Sequence, residues 1–485
     1  RPRQIARERQ DFLVALAAAD GGRLTLTAPD SYDERAAIPS RWLLEVAGAT
    51  SGRVVDATEF RGLSETGRPW LRVISSAQEA IERTITPADL EDRRLGEAAR
   101  WSAAGRPFAQ FPIARRAGGP LARAIAQRRA QTTSSLTCFD GNVSGSALVA
   151  RNATLRTGAG RAMSASALQT WAVCGYRYFL ERLVGVEPTE RPEESPTIDA
   201  REGGTLVHAI LQKFFDELAA VGRPGETESY GPDDVARIEW IAATEFAELV
   251  RRGVVGHPLV WENARGSILA VLRSFLTLDS RLRMAARVRP SRFEQGFGTG
   301  RRQSTDWPAL EIVVDSVSLR FQGKIDRIDL DSTGSHAIVF DYKTGRVGSY
   351  QAVATDPVAA GQHLQLALYN QAVRANMPLI TDVEARFWFI TTKGQFKQVV
   401  LNDDADVVDA RLAEVLRIIT TGIRSGAFPQ VPGLYTHGRF DNCGFCSFDR
   451  ICPARRDRQA REKANDPLVA LHTSLGTVVG PEAEE

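Results

Sequence analysis

Apolar and polar positions alternate along this chain in two rhythms. Over "IARERQDFLVALAAAD" (5–20) the apolar residues recur at helical spacing. "GRLTLTAP" (22–29) alternates like a strand, and "IPSRWLLEVAG" (38–48) opens a second helix behind a proline. Residues 51–135 read as mostly helical. "TCFDGNVSGSALVARN" (137–152) reads as a loop or short strand pair and marks a boundary. "SASALQTWAVCGYRYFLERLVGV" (164–186) starts with a capping serine and reads as one aromatic-rich helix. "EPTERPEESPTIDARE" (187–202) is acidic and Pro-rich, the composition of a linker or lid. Helical patterns follow over 203–218, 232–285, 360–376 and 405–426. Strand patterns occupy 310–345, 384–394 and 396–402. Helical and strand patterns thus interleave along the chain.

Within that pattern, "LRFQGKIDRIDLD" (319–331) and "HAIVFDYKTG" (336–345) are strands joined by the turn signal "STGS". A turn centred on Thr333 and Gly334 places Asp326 opposite Asp341 and Lys324 opposite Lys343. Asp326, Asp341 and Lys343 then share one face with Ile328 and Val339. Two carboxylates facing each other in a half-buried sheet destabilise it unless something compensates. A hard divalent cation does so, and an ammonium beside it can meet negative charge developing at a phosphoryl centre. The competing reading is a surface hairpin with solvated charges. In "GGTLVHAILQKFF", His208 flanks an apolar stripe of Val207, Ile210, Leu211, Phe214 and Leu218, where border histidines are common. Gln365 and Tyr369 share a helix face, as polar surface pairs often do.

The chain has 485 residues, enough for two to four domains. Its formal charge of +2 neither demands nor excludes nucleic acid, so a phosphate-binding surface must be a local patch. Arg-rich stretches such as "ARRAGGPLARAIAQRRAQ" (114–131) read either as solvated helix faces or as phosphate-tracking surfaces. No apolar run reaches the ~20 residues of a membrane span, and "RPRQIARERQ" lacks the apolar core of a signal peptide. An intracellular, cytoplasmic protein without a membrane partner is expected. The chain starts at Arg1, and is expected to be trimmed or a piece of something longer. No G-x-x-x-x-G-K-[ST] phosphate loop occurs in it.

Of five cysteines, Cys443, Cys446 and Cys452 crowd "NCGFCSFDRICP" as C-x-x-C followed by a third. Three soft ligands in one loop suggest a metal or cluster site, with Cys174 as the candidate fourth ligand. Four cysteines suit zinc or an iron–sulfur cluster, and spacing does not separate these. Cys138 reads as an ordinary small apolar residue.

Taken in order, "GTLVHAIL", "GKIDRID", "VFDYKTG" and "QLALY" resemble the RecB-like branch of the PD-(D/E)xK nucleases. The Cys174 segment and "CGFCSFDRICP" resemble the iron–sulfur staple of its AddB-type members. The resemblance covers about residues 156–460. It implies an α/β fold, a restriction-endonuclease-like core with a mixed central sheet flanked by helices, carrying helical additions and an N-terminal helicase-like segment. It also implies a Mg²⁺ or Mn²⁺ ion held by His208, Asp326 and Asp341, with the Tyr342 carbonyl assisting. Lys343 would be the catalytic lysine, with Gln365 and Tyr369 positioning DNA or that lysine. Cys174, Cys443, Cys446 and Cys452 would hold a 4Fe–4S cluster. Gly175 departs from the proline common after the first cysteine. "ARERQDFLVALAAADGGRLTLTAP" resembles the last motif of UvrD/RecB-type helicases, with Ala17-Ala18 where Thr-Arg is usual, so the ATP-sensing arginine is missing. Residues 1–150 would be a relict or truncated helicase-like region, 156–460 the nuclease domain and 461–485 a C-terminal tail. The function implied is an exonuclease-type, metal-dependent deoxyribonuclease. It would cut single-stranded DNA from unwound duplex ends during resection and recombinational repair, with a helicase–nuclease partner subunit or upstream motor domains, as in AddAB- or AdnAB-type machines. The alternatives are a catalytically silent DNA-binding scaffold and a zinc-stapled protein of other activity.

Overall fold

The computed structural model describes residues 2–19, 24–29, 31–32, 35–83, 89–114, 119–147, 162–187, 197–299, 306–436, 438–444, 446–449, 451–453 and 455–476. Most of the acidic Pro-rich segment, 188–196, and the last nine residues lie outside the described residues. The chain divides into two compact units, Arg1–Arg123 and Ala124–Glu485.

The first unit is a set of helices with a small core. Pro2–Ala17 is helical, as its periodicity predicts. Among the described residues, 24–29 of the expected strand belong to no sheet. Helix Arg41–Ser51 starts where Ser40 Oγ accepts from the Leu43 N–H at 3.3 Å and ends at Gly52 in the left-handed region, φ 70°. A capping box of Asp56 and Glu59 starts Ala57–Arg61. Ala47, Val55 and Leu63, with Phe60 and Leu71 against them, form the core.

The second unit is built on one mixed sheet. Its strands are β1 (Met163–Ser164), β2 (Val288–Phe297), β3 (Leu310–Val314), β4 (Val317–Asp331), β5 (His336–Lys343), β6 (Asp382–Phe389) and β7 (Gln398–Leu401). The path runs β1-β4-β5-β6-β7, with β2 and β3 also pairing with the long β4. β5 and β6 are parallel, β1 is parallel to β4, and the other pairs are antiparallel. Seven helices matter below: α1 (Ala165–Val173), α2 (Ala200–Ala220), α3 (Pro232–Arg252), α4 (Pro258–Ala286), α5 (Gln365–Asn376), α6 (Ala405–Ser425) and α7 (Pro467–Thr473).

The sheet separates two cores because side chains alternate along each strand. Phe321, Ile328, Val339 and Phe387 face α1, α5 and α6. Ile338, Phe340, Tyr342 and Trp388 face α2, α3 and α4. β5 is buried on both faces, which is why it reads as a continuous apolar run. Each fully buried aromatic or branched side chain contributes about 1.5–3 kcal/mol.

Two expectations need correction. Residues 164–186 do not form one helix: α1 ends at Cys174, whose backbone is extended (φ −162°, ψ 112°), and a new helical turn starts at Gly175. Residues 232–285 form two helices, α3 stopping at Gly253 with φ 72°. The region expected as a tail packs: Leu475 is 1% exposed, and the His472 ring lies 4.9 Å from that of Trp171. No described helix is long and apolar enough to cross a membrane.

Candidate active site

The register of β4 and β5 follows from the turn between them. Ile328 pairs with Val339 and Arg327 with Phe340, as a turn at Thr333–Gly334 requires. Asp331 closes that turn, its Oδ1 accepting from the Ser335 N–H at 3.0 Å and the His336 N–H at 3.1 Å. Asp326 and Asp341 are the next positions along these strands beyond the paired Arg327 and Phe340, where the ladder stops. Asp326 Oδ2 accepts from the backbone N–H of Tyr342 at 2.6 Å, tying its carboxylate to β5.

His208 reaches this point from α2, whose apolar stripe from Leu206 to Leu218 is buried against the sheet. Its Nδ1 lies 3.3 Å from Asp326 Oδ1 and 3.7 Å from Glu294 Oε1. His208, Glu294 and Asp326 each present a ligand atom, and these atoms all lie within 4.8 Å of one another. Burial works against a charged His208 imidazole, but the Asp326 and Glu294 carboxylates outweigh it and hold its pKa up at about 10. Glu294 is also paired with Lys324 at 2.6 Å.

Asp341 is 3% exposed and is not one of those gathered atoms. It lies beside them and forms an ion pair with Lys343. Burial raises its pKa to about 6; Lys343 opposes the rise and Asp326 adds to it. Lys343 Nζ also donates to Gln365 Oε1 at 3.1 Å, and lies 5.1 Å from the Phe387 ring centroid and 5.6 Å from that of Tyr350. Gln365 and Tyr369 are therefore turned toward the site. Tyr369 stands one helical turn beyond Gln365 on α5, and its ring meets Phe297 edge-on at 6.1 Å. Gly323 makes room for this packing, since a Cβ there would lie 2.6 Å from Phe297 Cζ. The Tyr342 side chain points to the opposite core.

Behind Asp326 and Asp341 lies a buried charge network. Arg327 Nη1 donates to Asp279 Oδ1 at 2.6 Å and to the Tyr342 hydroxyl at 3.3 Å, and its Nε donates to Asp329 Oδ1 at 2.5 Å. Arg283 Nε donates to Asp279 Oδ2 at 2.8 Å. All four charged side chains are 0% exposed. Two cations and two anions balance, which is the condition for burying them.

Sequence reasoning missed Glu294. It stands on β2, where the register shifts between Pro290 and Arg292, and its own φ is 48°. That irregularity spoils the alternation from which a face is read.

The four cysteines line one pocket, with Tyr176 and Arg456 among its other walls. Cys174 comes from the break after α1 and the other three from the C-terminal loop. Burial pushes the Cys452 thiol up to about 12, Arg456 opposing and the other cysteines adding. Among the described residues, no three of these sulfurs lie within 4.8 Å of one another. Gly175 has a steric reason: a Cβ there would lie 2.8 Å from Pro429 Cδ and 2.9 Å from Phe428 Cα.

The chain is similar to several known proteins. One relative is a subunit of the ATP-dependent helicase/deoxyribonuclease of Carboxydothermus hydrogenoformans, 24% identical over 227 residues, 46% of this chain and 19% of that protein. The chain thus spans about a fifth of that relative's length. A solved structure titled "Crystal structure of SSO0001" aligns over 52% of this chain and 97% of its own, at 19% identity and a TM-score of 0.22. The sequence profile of the PD-(D/E)XK nuclease superfamily matches residues 162–453. That span carries the mixed sheet, the paired acidic strands and the lysine two residues beyond Asp341, and the chain belongs to this superfamily.

Proposed function

We propose that this chain is a metal-dependent deoxyribonuclease that hydrolyses single-stranded DNA released by a helicase during end resection. The observation that carries this reading is the convergence of His208, Glu294 and Asp326 beside the Asp341–Lys343 pair. Three carboxylates and an imidazole are a hard donor set, the kind Mg²⁺ or Mn²⁺ takes. His208 and Asp326 would hold the ion with Asp341, the Tyr342 carbonyl assisting and Glu294 alongside. When bound, such an ion supplies positive charge at the phosphoryl centre. Lys343, fixed by Gln365, directs its ammonium at the same charge as it develops. Tyr369, one turn further along α5, would support Gln365 or position DNA. The product would be released from a strand running past β5, in the exonucleolytic manner.

The cysteine pocket supports a structural 4Fe–4S cluster. A tetrahedral zinc with Zn–S bonds of about 2.3 Å brings its sulfurs to roughly 3.8 Å from one another. Here, among the described residues, no three of the sulfurs lie within 4.8 Å of one another although all four line one pocket, an arrangement that suits a cluster whose four irons each take one thiolate. The group would clip the start of the domain to its end. Anaerobically purified protein should be brown and bleach on reduction; a colourless zinc protein would overturn this assignment. Residues 1–150 we read as the remnant of a helicase region, working with a partner subunit or further motor domains, as the relative's name suggests.

The test is digestion of labelled single-stranded DNA with Mg²⁺ or Mn²⁺, with Asp341→Ala alongside. Cutting by the parent and its loss in the variant is the expected result. Equal, negligible cutting by both proteins would favour a silent DNA-binding scaffold.

A further inference from the structure

β5 does not end the chemistry-bearing surface. From Lys343 the chain continues through Thr344, Gly345 and Arg346 into the turn-rich segment 347–354. It is held there by the turn that links β6 to β7. Ile390 N–H donates to Lys343 O at 3.0 Å, and Thr391 Oγ1 donates to Thr344 O at 3.2 Å. Gly394 sits so close that a Cβ would lie 2.9 Å from Gly345 O.

Beyond this junction, between segment 347–354 and β7, lies an open cleft of about 260 Å³. Val347, Ala354 and Val399 give it apolar walls. Gln351 and Asn402 bring amides and Lys397 an ammonium. The side chains of Gln351, Asn402 and Lys397 have no hydrogen-bond or ion-pair partner among the described residues. Arg346 and Lys393 are exposed on the two segments joined at Gly345 and Gly394, and they too are unpaired among the described residues. Elsewhere on this unit exposed arginines commonly have carboxylate partners, such as Arg237 with Glu217 and Arg251 with Glu248.

We propose that this cleft is a nucleotide subsite for the substrate strand, one base lying against the valine walls and its phosphate on Lys397. Amides able to donate and accept suit the exposed edge of an unpaired base. Cations without partners suit a phosphate backbone. Three residues lie between Lys343 and Val347, and the four steps of chain span at most ~14 Å, so the subsite lies a short way along the strand from the reacting phosphate. Gln351 follows Tyr350, whose ring faces Lys343, so an occupied cleft would fix the strand beside the catalytic lysine. This inference rests on the nuclease reading and adds where the strand is gripped.

The experiment uses the full chain carrying Asp341→Ala, so binding is read without cutting. Fluorescence anisotropy follows a dye-labelled oligothymidylate, and an abasic oligomer of equal length, across a series of salt concentrations. Ala354→Trp fills the cleft from an exposed position, and melting temperature checks its fold; Gln351→Ala is the second variant should it fail to fold. Ala354→Trp is expected to weaken thymidylate binding by roughly fivefold or more while hardly changing abasic binding. Lys397→Ala is expected to reduce the slope of log affinity against log salt by about 0.7. Thymidylate affinities within about twofold of the parent for the filled or Gln351→Ala cleft, with an unchanged salt slope for Lys397→Ala, would overturn the subsite. An equal loss for abasic and thymidylate strands would also overturn it. Cutting by the protein with Asp341 intact is scored separately. Absence of cutting with normal subsite behaviour would sink the nuclease reading alone.

Discussion

Asp326 Oδ2 accepts from the Tyr342 backbone N–H at 2.6 Å, so a carboxylate on one strand is anchored to the strand that carries Asp341 and Lys343. Its other oxygen faces His208. The anchor uses only the acceptor capacity of the side chain, whereas holding a cation needs its charge. Asp326→Asn can keep the first and lose the second. The variant should melt near the parent temperature and lose most cutting of single-stranded DNA. A fully active Asp326→Asn protein would show that its charge does no chemistry.

Glu294 opposes Asp326 across β2 and β4 and shares His208 with it. It is also tied to Lys324. A carboxylate so placed would act on a bound ion directly or by orienting His208. Either way Glu294→Gln should weaken the apparent Mg²⁺ affinity by roughly tenfold to a hundredfold, read from activity against metal concentration. An unchanged metal titration would place Glu294 outside the site.

Arg327 is the centre of the buried network behind the site. Removing it leaves Asp279 and Asp329 facing apolar rings with half their compensation gone. Arg327→Leu should therefore cost about 3–5 kcal/mol in denaturant unfolding, far more than loss of an exposed pair such as Arg237–Glu217. A loss below about 1 kcal/mol would mean that the two aspartates are protonated or hydrated in the folded protein.

These relationships differ in how visible they are in the chain. The register of the hairpin is legible because a two-residue turn centre fixes which positions face each other, and Ile328 pairs with Val339 as that turn requires. His208, Gln365 and Tyr369 are legible only as ambiguous border residues, since helical spacing says which side they take and not what they meet. Glu294 is hidden by a bulged strand and a left-handed backbone, which break period-two reading. The interruption at Cys174 is hidden for a different reason. It depends on Phe428 and Pro429, far along the chain, packing against Gly175.

That contact makes Gly175 a sensitive position. Tyr176 N–H donates to Pro429 O at 3.0 Å, so the two segments cannot easily separate to admit a methyl group. Gly175→Ala should destabilise the fold by about 1–3 kcal/mol. It should also speed loss of any chromophore bound at the four cysteines, read as bleaching during thermal unfolding. A variant as stable as the parent would show that segment 428–429 shifts freely.

Acid should unfold this protein through two buried histidines. Burial lowers the pKa of His472, beside Trp171, to about 4, its hydrogen bonds to backbone carbonyls opposing. Burial, with Lys343 adding, lowers that of His363, stacked 4.0 Å from Tyr350, to about 4. Both would titrate near 6.5 in the unfolded chain. Between those values the unfolded state binds protons that the native state refuses, so stability falls as pH drops from about 6.5 toward 4. Each group can account for up to about 3 kcal/mol of that fall. His472→Gln keeps an N–H for the Trp171 carbonyl but has no ring to protonate. Its melting temperature should decline less steeply than the parent's between about pH 7 and about pH 4.5. Parallel curves for the two proteins would rule His472 out as a source of acid lability.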